Sequence, residues 1–381
     1  MTTGTSTGER PTRATTDDAE REAWLALAMV PGLGARGIAQ LVQHFGSAAA
    51  VLDAPPRAQR EIGRIPARVL AQVGSQRRRI AEVMASAPAN DQAVLVPVDA
   101  DFPPRLRSIP DPPPILFARG RLELGSARSV AIIGSRNHTR YGADVAEQLG
   151  AIAAGAGLVV VSGMARGLDA VAQLAALRSG GTSIGVLGTG VDVVYPTSNR
   201  LLYEQLVETG LVLSEQPPGA RGHPGTFPRR NRLISGLADA LVVVEAAEGS
   251  GTLITVACAL EQGREVLAVP GPITSATSQG TNRLIRDGAT PVLEPGDPLA
   301  VLGVATRAQA EAVVAPSCTL SADEAQVFHA VSVDPIQLDD LALRVGMPIG
   351  TLLGTLLGLE IGGLVEQLPG SMFRRRGAPR Q

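Results

Sequence analysis

The sequence predicts an α/β protein whose central domain is a doubly wound, mainly parallel sheet. Between residues 128 and 303, apolar segments of strand length such as LVVVSG and ALVVVE alternate with helical patterns. Strands that are apolar on both faces and separated by helices are typical of a parallel sheet covered by helices on both sides. A chain of 381 residues is also long enough for additional domains. The prediction is therefore a chain of three domains with the sheet at its centre.

Changes in composition along the chain set the predicted domain boundaries. The first residues are polar and rich in threonine and glycine, with no apolar signal segment, and they predict a disordered tail. The last domain has the order of helices, turn and hairpin that is typical of a winged helix. The predicted segments are a tail at 1–20, a helical domain at 21–90, the sheet domain at 91–305, a linker at 306–318, a winged helix at 319–376 and a tail at 377–381.

Composition excludes several classes of protein. All 34 basic residues are arginine, which excludes a Walker A phosphate loop and Schiff-base chemistry because both need lysine. The two cysteines, Cys258 and Cys318, make neither a disulfide framework nor a four-ligand zinc site, and the four histidines are scattered. No apolar stretch reaches the roughly 18 residues that span a bilayer. We therefore expect a cytoplasmic protein without membrane contact, metal or cofactor.

The helical domain begins with a turn that has two interpretations. Residues 23–47 show apolar residues at helical spacing, interrupted by the PGLG turn at 31–34, and a second helical segment at 62–73 repeats the pattern. A Gly-x-Gly turn between short helices resembles a helix-hairpin-helix, whose backbone N–H groups can hold a nucleic-acid phosphate. The alternative is that both glycines only shape a turn in a small helical bundle.

Small residues follow four of the predicted parallel strands. In such sheets, ligands bind at the carboxyl ends of the strands, where glycine and serine let backbone N–H groups approach an anion closely. No loop matches G-x-G-x-x-G after the first strand, so dinucleotide binding is not favoured. The loops instead predict an anion site at this edge of the sheet. They are Gly134-Ser135-Arg136, Ser162-Gly163, Gly188-Thr189-Gly190 and Gly249-Ser250-Gly251-Thr252.

The segment FPRRNR at 227–232 adds charge and an aromatic ring to the same edge. Proline at its start predicts a short helix. Helical spacing places Arg229 and Arg232 on one face and Arg230 on another. Between residues 128 and 236 there are ten arginines against seven acidic residues, a net of +3 in a chain of net −2. Because arginines, an amide and an aromatic ring suit phosphates and unstacked bases, we predict binding of a single-stranded nucleic acid.

Several motifs resemble those of the DprA/Smf family, in the same order. They are GSRNHTRYG, SGMARGLDAVAQLAAL, GVLGTGVDVVYPTSNRLL, LSEQPPG, FPRRNRLISGL, EGSGTLITVACALEQGREVLAVPG and GTNRLIRDGA. The resemblance implies an extended Rossmann-like fold, an N-terminal SAM-like or helix-hairpin-helix domain and a C-terminal winged helix. It implies a protein without enzymatic activity that binds single-stranded DNA as a homodimer. It also implies protection of incoming strands and loading of the RecA recombinase in natural transformation, with single-strand-binding protein as a further partner.

The resemblance also implies which residues bind DNA. They are Gly134, Ser135, Arg136, Gly163, Arg166, Asn199, Arg200, Phe227, Arg230, Asn231, Arg232, Ser250 and Gly251. Arg229 falls at a variable position of the FP-x-RNR motif. The chain departs from the family at Gln173, where histidine is common, and at Gln216, where an aromatic residue is usual. These departures leave DNA binding intact and argue against a histidine-dependent reaction.

A nucleotide-binding protein or a nucleoside-monophosphate phosphoribohydrolase is the alternative from another functional class. EGSGTLIT resembles the G-x-G-T loop of these enzymes, which place a glutamate three residues after the threonine. That position is Thr255 here, so the carboxylate of the acid–base mechanism is missing. Glu215 and Glu245, at strand ends, are the acids that could replace it, although such acids more often cap helices or pair with arginine.

The predicted winged helix lacks the residues of a duplex reader. From Met347 to Leu364 the would-be recognition helix carries one charged residue, Glu360, and no basic group. Readout of the major groove needs arginine, lysine or amides. The leucines of this helix exceed what one buried face needs. We therefore predict a protein-contact module, used either for self-association or for docking a recombination partner.

Overall fold

A computed structural model describes residues 18–55, 58, 91–304, 321–332, 335–361 and 364–375 of the chain. The chain forms two compact units, Met1–Gln309 and Ala310–Gln381. Several predicted segments lie outside the described residues. These are most of the N-terminal tail, the second helical segment at 62–73, the linker at 306–318 and the tail at 377–381.

Residues 18–53, in the described N-terminal part of the first unit, form three helices. They are α1 (Asp18–Ala28), α2 (Ala35–Phe45) and α3 (Ala48–Asp53). Gly46 ends α2 in the left-handed conformation, with a φ of 88° that favours glycine. The Ser47 side chain caps α3 by accepting a hydrogen bond from the Ala50 N–H at 3.0 Å. The Glu20 carboxylate accepts a hydrogen bond from the Ala48 N–H at 2.7 Å, which ties α1 to the start of α3.

A nine-stranded sheet forms the centre of the first unit. The strands are β1 (Ala93–Leu95), β2 (Leu116–Gly120), β3 (Ser129–Ile133), β4 (Val159–Ser162), β5 (Ser183–Val186), β6 (Leu211–Ser214), β7 (Ala240–Val243), β8 (Glu265–Ala268) and β9 (Thr290–Pro291). Their order is β1-β2-β6-β5-β4-β3-β7-β8-β9. Strands β3 to β9 pair in parallel, and β1 and β2 extend the sheet antiparallel at one edge. The predicted doubly wound, mainly parallel sheet is confirmed.

Helices cover both faces of the sheet. They are α4 (Pro104–Arg107), α5 (Arg140–Gly155), α6 (Leu168–Arg178), α7 (Arg200–Thr209), α8 (Thr226–Leu237), α9 (Thr252–Glu261), α10 (Gln279–Arg286) and α11 (Asp297–Val301). Alternate residues of β3 belong to different apolar clusters. Val130 and Ile132 pack in a cluster with α5 and α6, whereas Ala131 and Ile133 pack with α8 and α9. This alternation is what a strand between two helical layers requires.

The direction of strand addition changes between β3 and β7. From β3 the chain proceeds through β4, β5 and β6 on one side and then returns to place β7 on the other. In doubly wound sheets, the carboxyl ends of the strands at such a point form a crevice for ligands. The small-residue loops follow β3, β4, β5 and β7, so the fold brings all four to this edge.

The second unit is a winged helix. Its elements are α12 (Ala322–Ala330), β10 (Ile336–Gln337), α13 (Leu338–Val345), α14 (Ile349–Ile361), β11 (Val365–Leu368) and β12 (Met372–Arg375). The strands form a sheet in the order β10-β12-β11, and a hairpin at Pro369-Gly370 joins the last two, as predicted. A capping box between Ser321 and Glu324 begins α12. The core contains Val327, Leu341, Leu352, Leu356, Leu359 and Phe373.

Apolar helices in the described part of the chain fall short of a membrane span. No single helix there is both long and apolar enough to cross a bilayer. Only α13 and α14 taken together reach the required length and composition, and the two are bent by 104° at the break between them.

Candidate nucleic-acid interface

The loops at the carboxyl edge of the sheet contact one another. We call residues 134–136, 163–167, 188–190 and 249–251 the rim. A Cβ on Gly167 would lie 2.4 Å from the Ser135 carbonyl oxygen and 2.8 Å from the Arg136 Cα, so only glycine fits this approach. Its φ of 87° also favours glycine. The Thr252 hydroxyl donates a hydrogen bond to the Gly134 carbonyl at 3.3 Å, so the loop after β7 joins the loop after β3.

Two arginines of the rim project into solvent. Arg136 and Arg166 are exposed, and neither side chain forms a hydrogen bond or ion pair with a residue that the structure describes. Because Gly167 brings their loops together, the two charges share one edge. Arg200 is exposed as well, with its Nη1 3.9 Å from the Glu204 carboxylate, and so exposed a pair contributes little. The rim therefore presents positive charge that no neighbouring carboxylate fully neutralises.

Arg230, one of the predicted DNA-binding residues, lies beneath the rim. Only 6% of this residue is exposed. Its Nη1 donates hydrogen bonds to the Gly163 and Val186 carbonyl oxygens, at 2.6 and 2.5 Å. Both carbonyls lie at strand ends, so the guanidinium links the loops that follow β4 and β5. Burial lowers the pKa of Arg230 to about 10, with the Asp169 charge opposing this change and the Arg136 charge adding to it.

Asp169 is the buried acid near Arg230, and sequence reasoning did not select it. Its carboxylate accepts hydrogen bonds from the Gly163 N–H at 3.1 Å and the Gly134 N–H at 3.4 Å. Burial raises the pKa of Asp169 above its usual value. A Cβ on Gly163 would lie 2.2 Å from Nη1 of Arg230 and 2.7 Å from Oδ2 of Asp169. Glycine at this position therefore leaves room for both buried side chains. Asp169 is the only acid of α6 and lies in its first turn, and this is its sequence signal.

Arg232 is buried as well, at 7% exposure, and two carboxylates neutralise it. Its Nη1 and Nη2 donate to the Glu215 oxygens at 2.6 Å each, and its Nε donates to Asp111 at 3.0 Å. Burial acts to lower the pKa of Arg232, but the hydrogen bonds and charges of these carboxylates raise it overall. Of the two arginines that helical spacing places on one face, only Arg229 is exposed, and Arg232 is buried and neutralised.

Phe227 forms an aromatic pair with Tyr195, another residue that sequence reasoning missed. The ring centroids are 5.2 Å apart and the ring planes are tilted by 38°. A Cβ on Gly188 would lie 2.8 Å from the Phe227 ring, so the glycine of the loop after β5 makes room for it. Phe227 is partly buried, whereas Tyr195 is 51% exposed. Tyr195 is thus the ring of the pair that an incoming base can reach.

Two other predicted residues, Asn199 and Asn231, contact neighbouring loops, and a third, Ser250, is buried. The Asn199 Nδ2 donates a hydrogen bond to the Met164 carbonyl at 2.9 Å and so holds the loop after β4. The Asn231 Nδ2 lies 3.5 Å from the Gly251 carbonyl oxygen, at the limit of a hydrogen bond. The Ser250 Oγ is buried and has no hydrogen-bond partner in the described part of the chain. Both asparagines therefore support the rim from behind.

The acids considered for a catalytic role are occupied by structural partners. Glu245 is 2% exposed, and its carboxylate accepts hydrogen bonds from the Thr139 N–H at 3.0 Å and the Thr139 hydroxyl at 2.5 Å. Thr139 caps α5, so Glu245 fixes the start of that helix. Glu215 is bound to Arg232. Among residues with described positions, no group of three or more potential metal-ligating side chains occurs.

The PGLG turn of the helical domain lies beside a cavity of about 340 Å³. Gly34 has an extended backbone ahead of α2 and gives that helix no side-chain cap. The exposed Arg229 of α8 lines the same cavity, so it faces the helical domain rather than the rim. The remaining walls are Ala28, Gly32, Leu33, Ala35, Pro114, Ile115, Glu215 and Gln216.

Family models match all three predicted parts of the chain. The model for the DNA recombination-mediator protein A matches residues 93–303, the DprA-like N-terminal HHH domain matches 18–77, and the DprA winged helix domain matches 310–371. Protein Smf of Synechocystis sp. is 33% identical over 94% of this chain and 100% of its own length.

Two solved structures resemble the fold. DNA processing protein A from Streptococcus pneumoniae superposes with a TM-score of 0.65 at 32% identity, covering 76% of this chain and 98% of that one. The homologue from Helicobacter pylori, described for its single-stranded DNA binding mode, gives a TM-score of 0.50 at 29% identity, covering 55% of this chain and 95% of that one. The chain belongs to the DprA/Smf family.

Proposed function

We propose that this protein binds single-stranded DNA along the rim, with Arg136 and Arg166 as its main phosphate contacts. The observation that carries the proposal is that both side chains are exposed and unpaired within the described structure, while Arg230 and Arg232 nearby are buried and bonded inward. Charge-assisted hydrogen bonds from arginine to phosphate are among the strongest polar contacts. The single-stranded DNA binding of the Helicobacter pylori homologue supports the same reading.

The buried charges give these contacts a fixed position. Arg230 bonds to the loops after β4 and β5, and Asp169 accepts hydrogen bonds from the loops after β3 and β4. Loops that are already held in place lose little freedom when they bind a ligand. We therefore assign Arg230, Arg232, Asn199 and Asn231 a positioning role. We assign the contact role to Arg136, Arg166, Arg200 and the backbone N–H groups of Ser135 and Gly251. The N–H groups of Gly134 and Gly163 are bonded to Asp169 and that of Ser250 to the Ala247 carbonyl, so these residues shape the loops.

Bases are proposed to stack on the Tyr195–Phe227 pair. Tyr195 is the exposed ring, and Phe227 supports it from the interior side. An aromatic side chain stacks on the flat face of an unpaired base. In a duplex the faces of the bases are covered by the neighbouring base pairs. Basic loops with a stacking ring beside them therefore favour a single strand over a duplex.

The proposed cellular role follows from the family. We infer that the protein protects incoming single strands and loads RecA during natural transformation, and that it does so as a cytoplasmic homodimer. Single-strand-binding protein, which competes for the same DNA, is a further proposed partner. The support is the match to the model for the recombination-mediator protein over residues 93–303.

We also propose that the rim catalyses no nucleotide hydrolysis. Thr255 stands where the related hydrolases carry a glutamate, and it is 3% exposed. Incubation with ATP, AMP or a cytokinin-type nucleotide should release neither phosphate nor free base above a blank without protein. Turnover that disappears in Glu215→Gln or Glu245→Gln would contradict this proposal and favour the phosphoribohydrolase alternative.

Titration with labelled DNA at several salt concentrations tests the binding proposal. Single-stranded DNA should bind more tightly than a duplex of the same length. Its affinity should fall with a log–log salt slope of about −0.7 for each phosphate contact, because bound counterions are released. The double variant Arg136→Ala/Arg166→Ala should bind far more weakly while keeping the parent's circular dichroism. Equal affinity for duplex, or binding that is indifferent to salt, would contradict the proposal.

A further inference from the structure

Helix α14 of the winged helix has one buried face and one unpartnered apolar face. Leu352, Leu356 and Leu359 are buried in the core of the unit. Ile349, Leu353 and Leu357 lie on successive turns of the other face and are 48%, 43% and 57% exposed. Residues four apart on a helix are neighbours, so these three form a continuous apolar line. We call Ile349, Leu353 and Leu357 the ridge.

A line of glycines runs beside the ridge at the same spacing. We call Gly350 and Gly354 the groove; Gly358 continues the line, but a Cβ added there would lie 3.2 Å from the Glu324 carboxylate of α12. Glycine is among the poorest helix formers, so three glycines weaken this helix of 13 residues. Glycine at these positions therefore calls for a reason, such as close contact with another backbone. A Cβ added at Gly350 or Gly354 would meet no atom within 4 Å. The packing of this unit therefore gives no reason for glycine at either position.

The charge of this surface restricts what can cover it. From Ile349 to Leu359 the helix carries no charged residue, and Glu360 is partly buried with its carboxylate accepting a hydrogen bond from the Gln367 N–H. A DNA phosphate finds no cation here, and a charged protein surface finds no counter-charge. An identical surface is complementary, because two-fold symmetry places each ridge against the other groove and brings no like charges together.

We propose that α14 is a self-association surface, on which two copies of the winged helix pair through ridge and groove. Without side chains in the groove, the two helix backbones can approach closely. A helix of 13 residues is about 20 Å long, so the contact is smaller than the roughly 1,200–2,000 Å² typical of stable interfaces. The pair is therefore weak between free chains and becomes effective when something else holds two chains together.

Sedimentation velocity of the full chain over a wide concentration range tests the proposal. The parent should move to species of higher mass as its concentration rises. Leu353→Glu should require a concentration at least about tenfold higher for the same shift, because it puts a charge into the centre of the apolar contact. The matched control is Leu343→Glu, the same change at a leucine of α13 that is 83% exposed and lies outside the ridge.

Two outcomes of this experiment would overturn the proposal. One is a parent that keeps a constant mass across the whole range. The other is a Leu353→Glu variant that associates as readily as the parent and the Leu343→Glu control. A Leu343→Glu variant that behaves as the parent, beside a defective Leu353→Glu, supports the proposed surface.

The double variant Gly350→Ala/Gly354→Ala gives two measurements of opposite sign. Alanine favours the helix and its methyl group meets open space within the single chain, so the thermal transition of the winged helix should shift upward. The same methyl groups keep two backbones apart, so self-association should weaken. Association that remains at the parent's strength in this variant would overturn the ridge-and-groove geometry.

Lipid is the other occupant that an apolar helix face can meet. Flotation of the full chain with vesicles of phosphatidylcholine and phosphatidylglycerol separates this possibility from self-association. The parent should remain unbound at protein concentrations where it self-associates. Vesicle binding by the parent that is lost in Leu353→Glu would assign the ridge to a membrane surface and overturn the proposal.

Discussion

The arginines of α8 and those of the rim have the same charge and opposite surroundings. Arg230 and Arg232 are 6% and 7% exposed, and their guanidinium groups donate to carbonyl and carboxylate oxygens inside the protein. Arg136 and Arg166 are exposed and have no partner in the described structure. All four were expected to contact DNA, and the structure separates them into two groups.

Physical chemistry explains why the two groups cannot exchange roles. A buried cation must be neutralised or hydrogen-bonded, since leaving it unpaired in the interior is strongly unfavourable. Arg232 donates to carboxylates from Nε, Nη1 and Nη2 and so has no donor group left for a phosphate. Arg230 donates inward from Nη1, and its buried Nε has no partner in the described structure. An exposed arginine on a well-supported loop keeps its donors in water until a ligand arrives. Replacing a buried arginine should therefore change the free energy of unfolding, and replacing an exposed one should change affinity.

The largest effect is expected at Arg232. Arg232→Met should lower the free energy of unfolding by about 3–5 kcal/mol, since it leaves the Glu215 carboxylate without its bidentate partner. Urea denaturation measures the change. Removing the carboxylate too, in Arg232→Met/Glu215→Leu, should restore part of the loss. The control is Arg178→Met, whose surface pair with Glu147 should contribute less than about 1 kcal/mol.

Comparison with that control decides the interpretation of Arg232. If Arg232→Met unfolds at the same urea concentration as the parent and Arg178→Met, the buried network does not stabilise the fold as described. Binding assays of the folded variant complete the test. Replacing Arg232 can lower the stability of the protein and still leave the rim arginines in place to bind DNA.

The next largest effect is expected at the rim arginines. Arg136→Ala and Arg166→Ala should each weaken single-stranded DNA binding by about 1–3 kcal/mol, because each removes a charge-assisted contact. The free energy of unfolding should stay within about 0.5 kcal/mol of the parent, since neither side chain has a described partner. Fluorescence anisotropy and urea denaturation measure the two quantities. Unchanged affinity in folded Arg136→Ala would remove the rim from the binding site.

A smaller effect is expected at Tyr195. Tyr195→Leu should weaken single-stranded DNA binding by about 1 kcal/mol through loss of one stacking face. Tyr195→Phe keeps the ring and should bind as the parent does, which makes it the matched control. Equal affinities for the leucine and phenylalanine variants would exclude stacking on this ring.

The smallest effect is a change in salt dependence. Arg136→Ala should reduce the magnitude of the log–log salt slope by about 0.7, because it removes one phosphate contact. Arg232→Met, measured under conditions where it is folded, should leave the slope unchanged. A lower slope in Arg232→Met would mean that this buried arginine also reaches DNA, and the division between the two groups would fail.

The fold could be predicted from the sequence because its signal is local. Strands β3 to β8 are mainly apolar runs of four or five residues, such as VVVS at 159–162, each followed by a helical pattern. Glycine-containing loops mark the strand ends, and doubly wound sheets place such loops at one edge. The winged helix followed from its element order in the same way.

The site could be predicted only in part because burial depends on distant partners. Arg230 bonds to Gly163, 67 residues earlier, and Arg232 to Asp111, 121 residues earlier. No helical spacing shows that α8 turns both arginines inward. Asp169 and Tyr195 were missed for the same reason, since each gains its role from a residue brought near only by the fold. Arg136 and Arg166 were found because strand-end loops carry them.

The outermost described strands of the large sheet limit how the protein can aggregate. β1 has three residues, and β9 has two, of which one is Pro291 with no N–H to donate. Long regular edge strands are templates on which another chain can add a strand, and short or proline-containing ones are not. Edge-to-edge growth into β-rich aggregates is therefore disfavoured, even where many copies crowd on one DNA strand. Contacts between copies of the large domain are therefore expected to form through its helices and loops.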